Sequence, residues 1–224
     1  MMFESPKSNL ICADFRICKA IPKGNMFKIL ALYYNKSLIL AMSILKWKTV
    51  SSAYLVQKPW ATLRVDECEL PDGRIASEYY VLEYPNWVNV VAITEDEQVI
   101  MVRQYRHSGD IISIEIPGGV IDGDEKPVDA AKRELLEETG YLFEDFELVS
   151  TIYPNPATSN NVTYCYLAKG GKKVQEQDLD EHEDIDIELY TIPQVKEMLL
   201  KNEIPQALHV TGLMYGFLKL GELS

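Results

Sequence analysis

The sequence predicts an α/β fold: a mixed β-sheet covered by helices on both faces, with an antiparallel β hairpin or sheet added on its N-terminal side. Three observations predict it. Short stretches rich in Val, Ile and Tyr precede and follow one acidic helical stretch between Pro127 and Thr139. Two apolar helical stretches, opening near Pro193 and Pro205, close the chain. Ahead of all these, residues 54–84 carry alternating apolar and polar side chains around a Pro71-Asp72-Gly73 turn. Strands and helices in this order bury their apolar sides when helices lie on both faces of one sheet, an α/β/α sandwich.

Composition bounds the function. The chain has 224 residues, 47% hydrophobic and 25% charged, which suits one globular domain with an appendage. A net charge of −12 argues against a general nucleic-acid binder. An acidic protein still binds phosphorylated ligands where metal ions supply positive charge locally. Cys12, Cys18, Cys68 and Cys165 form no C-x-x-C pair, so neither a zinc site nor a disulfide framework is visible, and reduced thiols in a cytoplasm are expected.

Residues 1–45 read as a poorly ordered or extension segment. The apolar stretch MFKILALYYNKSLILAM is interrupted by Lys28, Asn35 and Lys36, and its unbroken runs fall short of the ~20 residues a membrane span needs. No membrane partner is expected.

From there the elements follow in order. Ala61, Leu63 and Val65 alternate with polar residues, and Ile75 to Tyr84 is rich in tyrosine and valine, which makes a long antiparallel hairpin. Trp47, Trp60 and Trp87 lie in or near it as packing residues, and the faces of Trp60 and Trp87 also suit stacking on a nucleobase. Trp87 to Thr94 and Gln98 to Tyr105 are two strands joined across Glu95-Asp96-Glu97. The second ends in Arg103-Gln104-Tyr105-Arg106, and arginine is the side chain for two-pronged phosphate contact, so Arg103 and Arg106 are candidate substrate ligands. Ile111 to Ile116 is a short strand running into Pro117-Gly118-Gly119, where two glycines let the backbone approach a ligand closely.

The next element is the acidic helix. Pro127 suits a first helical position. Asp122, Asp124, Glu125 and Asp129 surround that opening with negative charge, and Gly140 is placed to close the helix in a left-handed cap. Val128, Ala131 and Leu135 make one apolar face. Glu134 and Glu138 stand one turn apart on another, with Glu137 beside them; like charges at this spacing cost an isolated helix ~0.2–0.5 kcal/mol per pair. A divalent cation reverses that penalty, and hard oxygen donors suit Mg²⁺ or Mn²⁺.

Gly119, Glu125, Arg133, Glu134, Glu137, Glu138 and Gly140 stand at the spacing G-x5-E-x7-R-E-U-x-E-E-x-G-U, with Leu135 at the first bulky apolar position and Tyr141 at the second, where an aliphatic residue is more usual. On these residues the chain resembles the Nudix hydrolases. The resemblance implies that Glu134, Glu137 and Glu138 hold the metal ions together with the Gly118 carbonyl, Glu137 thereby standing among the catalytic residues. It implies that Arg133 and Glu125 orient these ligands.

Within the family, the chain looks like the ADP-ribose pyrophosphatase or ADP-sugar diphosphatase type. The segment after Met42 is similar to the usual start of such proteins, Arg106 matches their RQYR/EQYR segment, and Pro156 in YPNPATSNN stands where they carry a substrate loop. The resemblance implies a dimerising N-terminal sheet over residues 46–85 and a Nudix domain over residues 86–224. Asp145 to Tyr153, Val162 to Ala168 and Ile185 to Tyr190 are the remaining strands, and Pro193 to Lys201 and Pro205 to Leu220 the closing helices, in which His209, Met214 and Tyr215 read as packing. The acidic stretch before the last strand is ordinarily a solvated loop. Its DEHEDI segment is similar to the loop that carries the catalytic carboxylate in this group, and Glu181 and Glu183 are both candidates. The expected activity is Mg²⁺-dependent hydrolysis of ADP-ribose to AMP and ribose 5-phosphate by a cytoplasmic homodimer. The alternatives are the same reaction on another nucleotide sugar such as GDP-mannose, or a sensor that binds ADP-ribose without cleaving it.

Overall fold

The computed structural model describes residues 44–223, so the expectation of an extension over residues 1–45 falls almost wholly outside the described residues. The chain divides into two units: residues 1–48 with 70–74, and residues 49–69 with 75–224. In the first, residues 70–74 form a turn in which the Gly73 amide donates to the Leu70 carbonyl and Arg74 pairs with Asp72. Apart from Lys48, everything below lies in the second unit.

Three strands, β1 (Lys48–Lys58), β2 (Ala61–Glu69) and β3 (Ile75–Glu83), form one antiparallel-paired sheet in the order β1-β2-β3. The hairpin expected over residues 54–84 is therefore two of three strands. Every residue of β1 is exposed, and on β2 the buried positions are Asp66 and Cys68 rather than Ala61, Leu63 and Val65. Asp66 accepts from Ser52 and Arg64, and Arg64 also pairs with Glu83. These polar contacts tie the three strands together.

The larger sheet is mixed. Its strands are β4 (Trp87–Thr94), β5 (Gln98–Arg106), β6 (Ile111–Glu115), β7 (Tyr141–Leu142), β8 (Phe146–Ile152), β9 (Thr163–Lys173) and β10 (Ile185–Thr191). The path runs β10-β5-β4-β9-β7, with β6 beside β5 and β8 beside β9; β4 and β9 are parallel and the other pairs antiparallel. Between β6 and β7 comes α1 (Pro127–Thr139), and after β10 come α2 (Ile192–Leu200) and α3 (Ala207–Leu220).

Alternation along the strands separates two cores. Val88, Val90, Ala92 and Ile100 pack with Ala130, Ala131 and Leu135 of α1. Val91, Ile93, Val99 and Met101 pack with Val195 of α2 and with Leu213 and Phe217 of α3. Helices thus cover both faces of the mixed sheet, as the sequence predicts. The helix α1 has the expected bounds: Pro127 sits in its first turn, and Gly140 closes it in the left-handed region with φ 71°, its amide donating to the Leu136 carbonyl. Two packing expectations are corrected, because Met214 and Tyr215 are exposed on α3. No helix among the described residues is long and apolar enough to cross a membrane.

Candidate active site

The segment between β6 and α1 is laid along β4 by backbone hydrogen bonds. The Val88 amide donates to the Gly119 carbonyl at 2.9 Å, and the Val90 amide to the Pro117 carbonyl at 2.8 Å. Gly118 is pressed so closely onto Val88 and Asn89 that a Cβ there would collide with backbone. At Gly119 a Cβ would run into the carboxylate of Glu134. Close approach to β4 thus requires glycine at 118, while Gly119 leaves room for an acidic group of α1. Glu138 folds back onto the same segment and accepts from the Gly118 amide at 2.9 Å.

Arg133 organises the exposed side of the helix. Its Nε and Nη2 donate to the two oxygens of Glu125 at 3.2 and 2.9 Å, and Nη2 also reaches the Val120 carbonyl at 3.0 Å. Its Nη1 donates to Glu134 at 2.9 Å and Glu137 at 3.1 Å. One guanidinium therefore fixes three carboxylates, as its planar set of donors allows.

A cavity of about 410 Å³ lies against this cluster, bordered by Glu134, Glu137, Arg133, Glu183, Asp178 and Trp60. Burial is the main reason that the Glu134 carboxyl is raised to about 7, with repulsion from Glu137 and Glu183 adding to it and Arg133 opposing it. Burial also pushes Glu138 well above the usual carboxylate range, and Glu134 and Glu183 push it further against the Gly118 hydrogen bond. Mutually repelling carboxylates crowded under a glycine backbone make a donor set that fits a hard divalent cation. Among the described residues no three acidic, His or Cys side chains converge on one ion position as they stand, since Arg133 holds Glu134 and Glu137.

Of the two loop candidates, Glu183 borders this cavity and Glu181 does not. The Glu183 carboxylate accepts from the Asp180 amide at 3.1 Å, which closes a small turn. The acidic loop is held to α1 by the Asp178 amide, which donates to the Glu137 carbonyl, and by Gln177, whose Nε2 donates to the Glu138 and Ile185 carbonyls.

The two arginines part company. Arg103 makes a two-pronged pair with Glu188 of β10, at 2.6 and 2.9 Å, and borders neither cavity. Arg106 instead grips Glu115 of β6, Nε to Oε1 at 3.0 Å and Nη2 to Oε2 at 2.5 Å, and lines a second cavity together with Trp87 and Gly118. Glu115 is fully buried, and His209 of α3 stands 3.1 Å from its Oε2. Burial opposes its charge, but hydrogen bonds from His209 and Arg106 outweigh that and hold its carboxyl far below the ordinary range. Pro156 is exposed and borders neither cavity; its loop is tied to β3, where the Leu82 amide donates to the Thr158 carbonyl and the Tyr79 hydroxyl to the Ala157 carbonyl.

Sequence reasoning did not reach Glu115 or Asp178, and it read His209 as packing, which its burial bears out. A signal existed for Glu115: an acidic residue inside the apolar run Ile111 to Ile116 has to be buried, and a buried charge needs partners.

Residues 84–210 match the NUDIX domain, and residues 47–82 match the nucleoside diphosphate sugar hydrolase N-terminal domain. A protein of Bacillus methanolicus named methanol dehydrogenase activator is 32% identical over 169 residues, 75% of this chain and 91% of that one. An ADP-ribose pyrophosphatase of Bacillus subtilis is 29% identical over 179 residues, 80% of this chain and 96% of its own. In fold, the chain resembles a crystal structure of an ADP compounds hydrolase, with a TM-score of 0.71 at 20% identity, covering 81% of this chain and 99% of the other.

Proposed function

The chain belongs to the Nudix hydrolase family as an ADP-ribose pyrophosphatase-like member, and we propose that it cleaves the diphosphate of ADP-ribose to AMP and ribose 5-phosphate. One observation carries the reading: Glu134, Glu137 and Glu183, from two distant segments, border a single cavity, with Glu138 of the same helix anchored to Gly118 beside it.

Glu134, Glu137 and Glu138, with the Gly118 carbonyl, would hold Mg²⁺ or Mn²⁺. When bound, the metal supplies positive charge to the diphosphate and makes water easier to deprotonate. Arg133 keeps the glutamates in place through its bonds to Glu125 and the Val120 carbonyl, a supporting role of the kind that orients metal ligands. Glu183 orients the attacking water and takes its proton. Its place on the cavity wall favours it over Glu181. The water oxygen bonds to one phosphorus, the bridging P–O bond breaks, and the bridging oxygen leaves with the other phosphate. Arg106 binds a phosphate oxygen, and Trp60 and Trp87 offer ring faces to the nucleotide. Pro156 contributes through the shape of its loop.

The same reading has the enzyme working in the cytoplasm as a homodimer, without nucleic-acid or membrane partners. The N-terminal sheet supports the dimer, since Leu55, Trp60, Ile75 and Tyr80 leave apolar surface exposed on it.

Product analysis with ADP-ribose, GDP-mannose and diadenosine polyphosphates, each with Mg²⁺ and with EDTA, tests the reading. Mg²⁺-dependent release of AMP from ADP-ribose in preference to the others is expected. Preference for GDP-mannose would overturn the substrate and keep the chemistry. Tight binding of ADP-ribose without turnover would make the protein a sensor.

A further inference from the structure

The loop that carries Glu183 runs from Val174 to Asp184. All of its residues are exposed except Gln177 and Leu179, which are half-buried. It is also acidic, with Glu176, Asp178, Asp180, Glu181, Glu183 and Asp184 in close succession. Asp178, Asp180 and Glu183 border the same cavity as Glu134 and Glu137 of α1, and Glu183 repels both Glu134 and Glu138. A charged loop with so little buried surface stays against an acidic helix only where something ties it there.

The ties lie at the C-terminal end of α1. The last four carbonyls of a helix have no partner within it. Here the Gly140 amide donates to the Leu136 carbonyl, the Asp178 amide to the Glu137 carbonyl at 2.8 Å, and Gln177 Nε2 to the Glu138 carbonyl at 2.7 Å. Glu137 and Glu138 thus turn their carboxylates to the site and their carbonyls to the loop. Gln177 Nε2 also donates to the carbonyl of Ile185, the buried first residue of β10, at 2.9 Å. A primary amide has two hydrogens, one for each carbonyl. With them Gln177 closes the loop at its neck and fastens that neck to α1. Within the loop, the Glu183 amide donates to the Asp180 carbonyl at 3.0 Å, and the Asp180 amide to the Glu183 carboxylate at 3.1 Å. The Glu183 side chain is therefore fixed to its loop, and the loop to the helix. An amide does this without charge: a lysine at this point would be drawn to the carboxylates, and a glutamate would be repelled by both carbonyls.

Building on the reading of Glu183 as the group that takes the proton from water, we propose that Gln177 is a positioning residue for it. Its side-chain amide ties the two ends of the acidic loop to the Glu138 carbonyl and so holds Glu183 at the wall of the cavity that Glu134 and Glu137 border.

Gln177→Met, which keeps the reach of the side chain and removes both donors, tests this in the full chain with Mg²⁺ and ADP-ribose. A displaced base lowers rate rather than affinity, so kcat is expected to fall about ten- to hundredfold with KM within about twofold of wild type. The decisive variant combines it with Glu183→Gln. If Gln177 acts through Glu183, the second substitution lowers the rate no further; losses that multiply would place its effect elsewhere and overturn the proposal. A second measurement needs no turnover. In hydrogen exchange, the Asp178 and Glu183 amides are expected to exchange at least about fivefold faster in Gln177→Met while the amides of α1 keep their protection. Unchanged exchange in the loop, or loss of protection throughout α1, overturns the proposal. Near-normal turnover in Glu183→Gln would sink the base assignment itself. An impaired Glu183→Gln beside a Gln177→Met of normal kcat would sink the role of Gln177 alone.

Discussion

Glu115 and Glu138 are both buried, yet their carboxyl groups are driven in opposite directions. Burial opposes the charge on Glu115, but the group receives two bonds from Arg106 and stands within reach of His209, and these two partners keep it ionised far below the ordinary carboxylate range. Burial pushes Glu138 well above that range; one backbone amide opposes this, and repulsion from Glu134 and Glu183 adds to it. Burial disfavours charge in both; the number and sign of the partners decides the outcome. A satisfied charge of the first kind belongs to the scaffold. A crowded charge of the second kind is a strain that a cation relieves, which is why such groups gather at functional sites.

Glu138→Gln should break the second half of this comparison, with the largest effect. The amide oxygen keeps the bond from Gly118 while the negative charge is lost, so the fold should survive, and turnover of ADP-ribose should fall by orders of magnitude. Steady-state rates beside thermal melting read both. Near-normal turnover would remove Glu138 from the metal ligands.

Glu115→Gln breaks the first half. It leaves Arg106 without its counter-charge, and disruption of a buried pair costs about 3–5 kcal/mol. Arg106 is 45% exposed at its side chain, so the lower end, about 3 kcal/mol, is expected, or roughly 6–12 °C in Tm for a chain of this size. The pH dependence has a definite sign. Folding lowers the Glu115 pKa below its ordinary 4.5, so the contribution is complete above that value and is lost as pH falls from there toward the folded value. The Tm gap between wild type and variant should therefore shrink on acidification below about pH 4.5. A gap that is constant or widens would show that the carboxylate's charge is not what stabilises the protein.

These two carboxylates also mark what the sequence makes legible. Glu134, Glu137 and Glu138 lie within one helix, so spacing alone brings them together, and Pro127 and Gly140 punctuate that helix at both ends. The strands β4 and β5 show as apolar runs because both their faces are covered. Strand β1 has no such pattern, as none of its residues is buried, and β7 has two residues, too few for any period. Glu115 and His209 meet only through the pairing of β5 with β6 and the docking of α3, contacts between segments far apart in sequence. One distinction was within reach. Arg103 and Arg106 are three residues apart on a strand, and a period of two sends them to opposite faces, so one cavity cannot receive both.

Glu188, the partner of Arg103, is a third case between the two extremes. Arg103 holds its carboxyl below the ordinary range, and the Tyr190 hydroxyl also donates to it. Yet the side chains are 38% and 27% exposed, and solvent screens a pair so placed. Its worth is expected to be at most about 1 kcal/mol. Arg103→Ala should accordingly lower Tm only slightly and keep turnover within about twofold of wild type, because water replaces the lost donor at Glu188. Arg106→Ala, assayed beside it, should raise KM for ADP-ribose strongly, since it removes the phosphate donor and leaves Glu115 short of two bonds. Equal impairment in the two variants would mean that Arg103 releases Glu188 and turns to the substrate. The division between a satisfied scaffold charge and a working one would then fail on this strand.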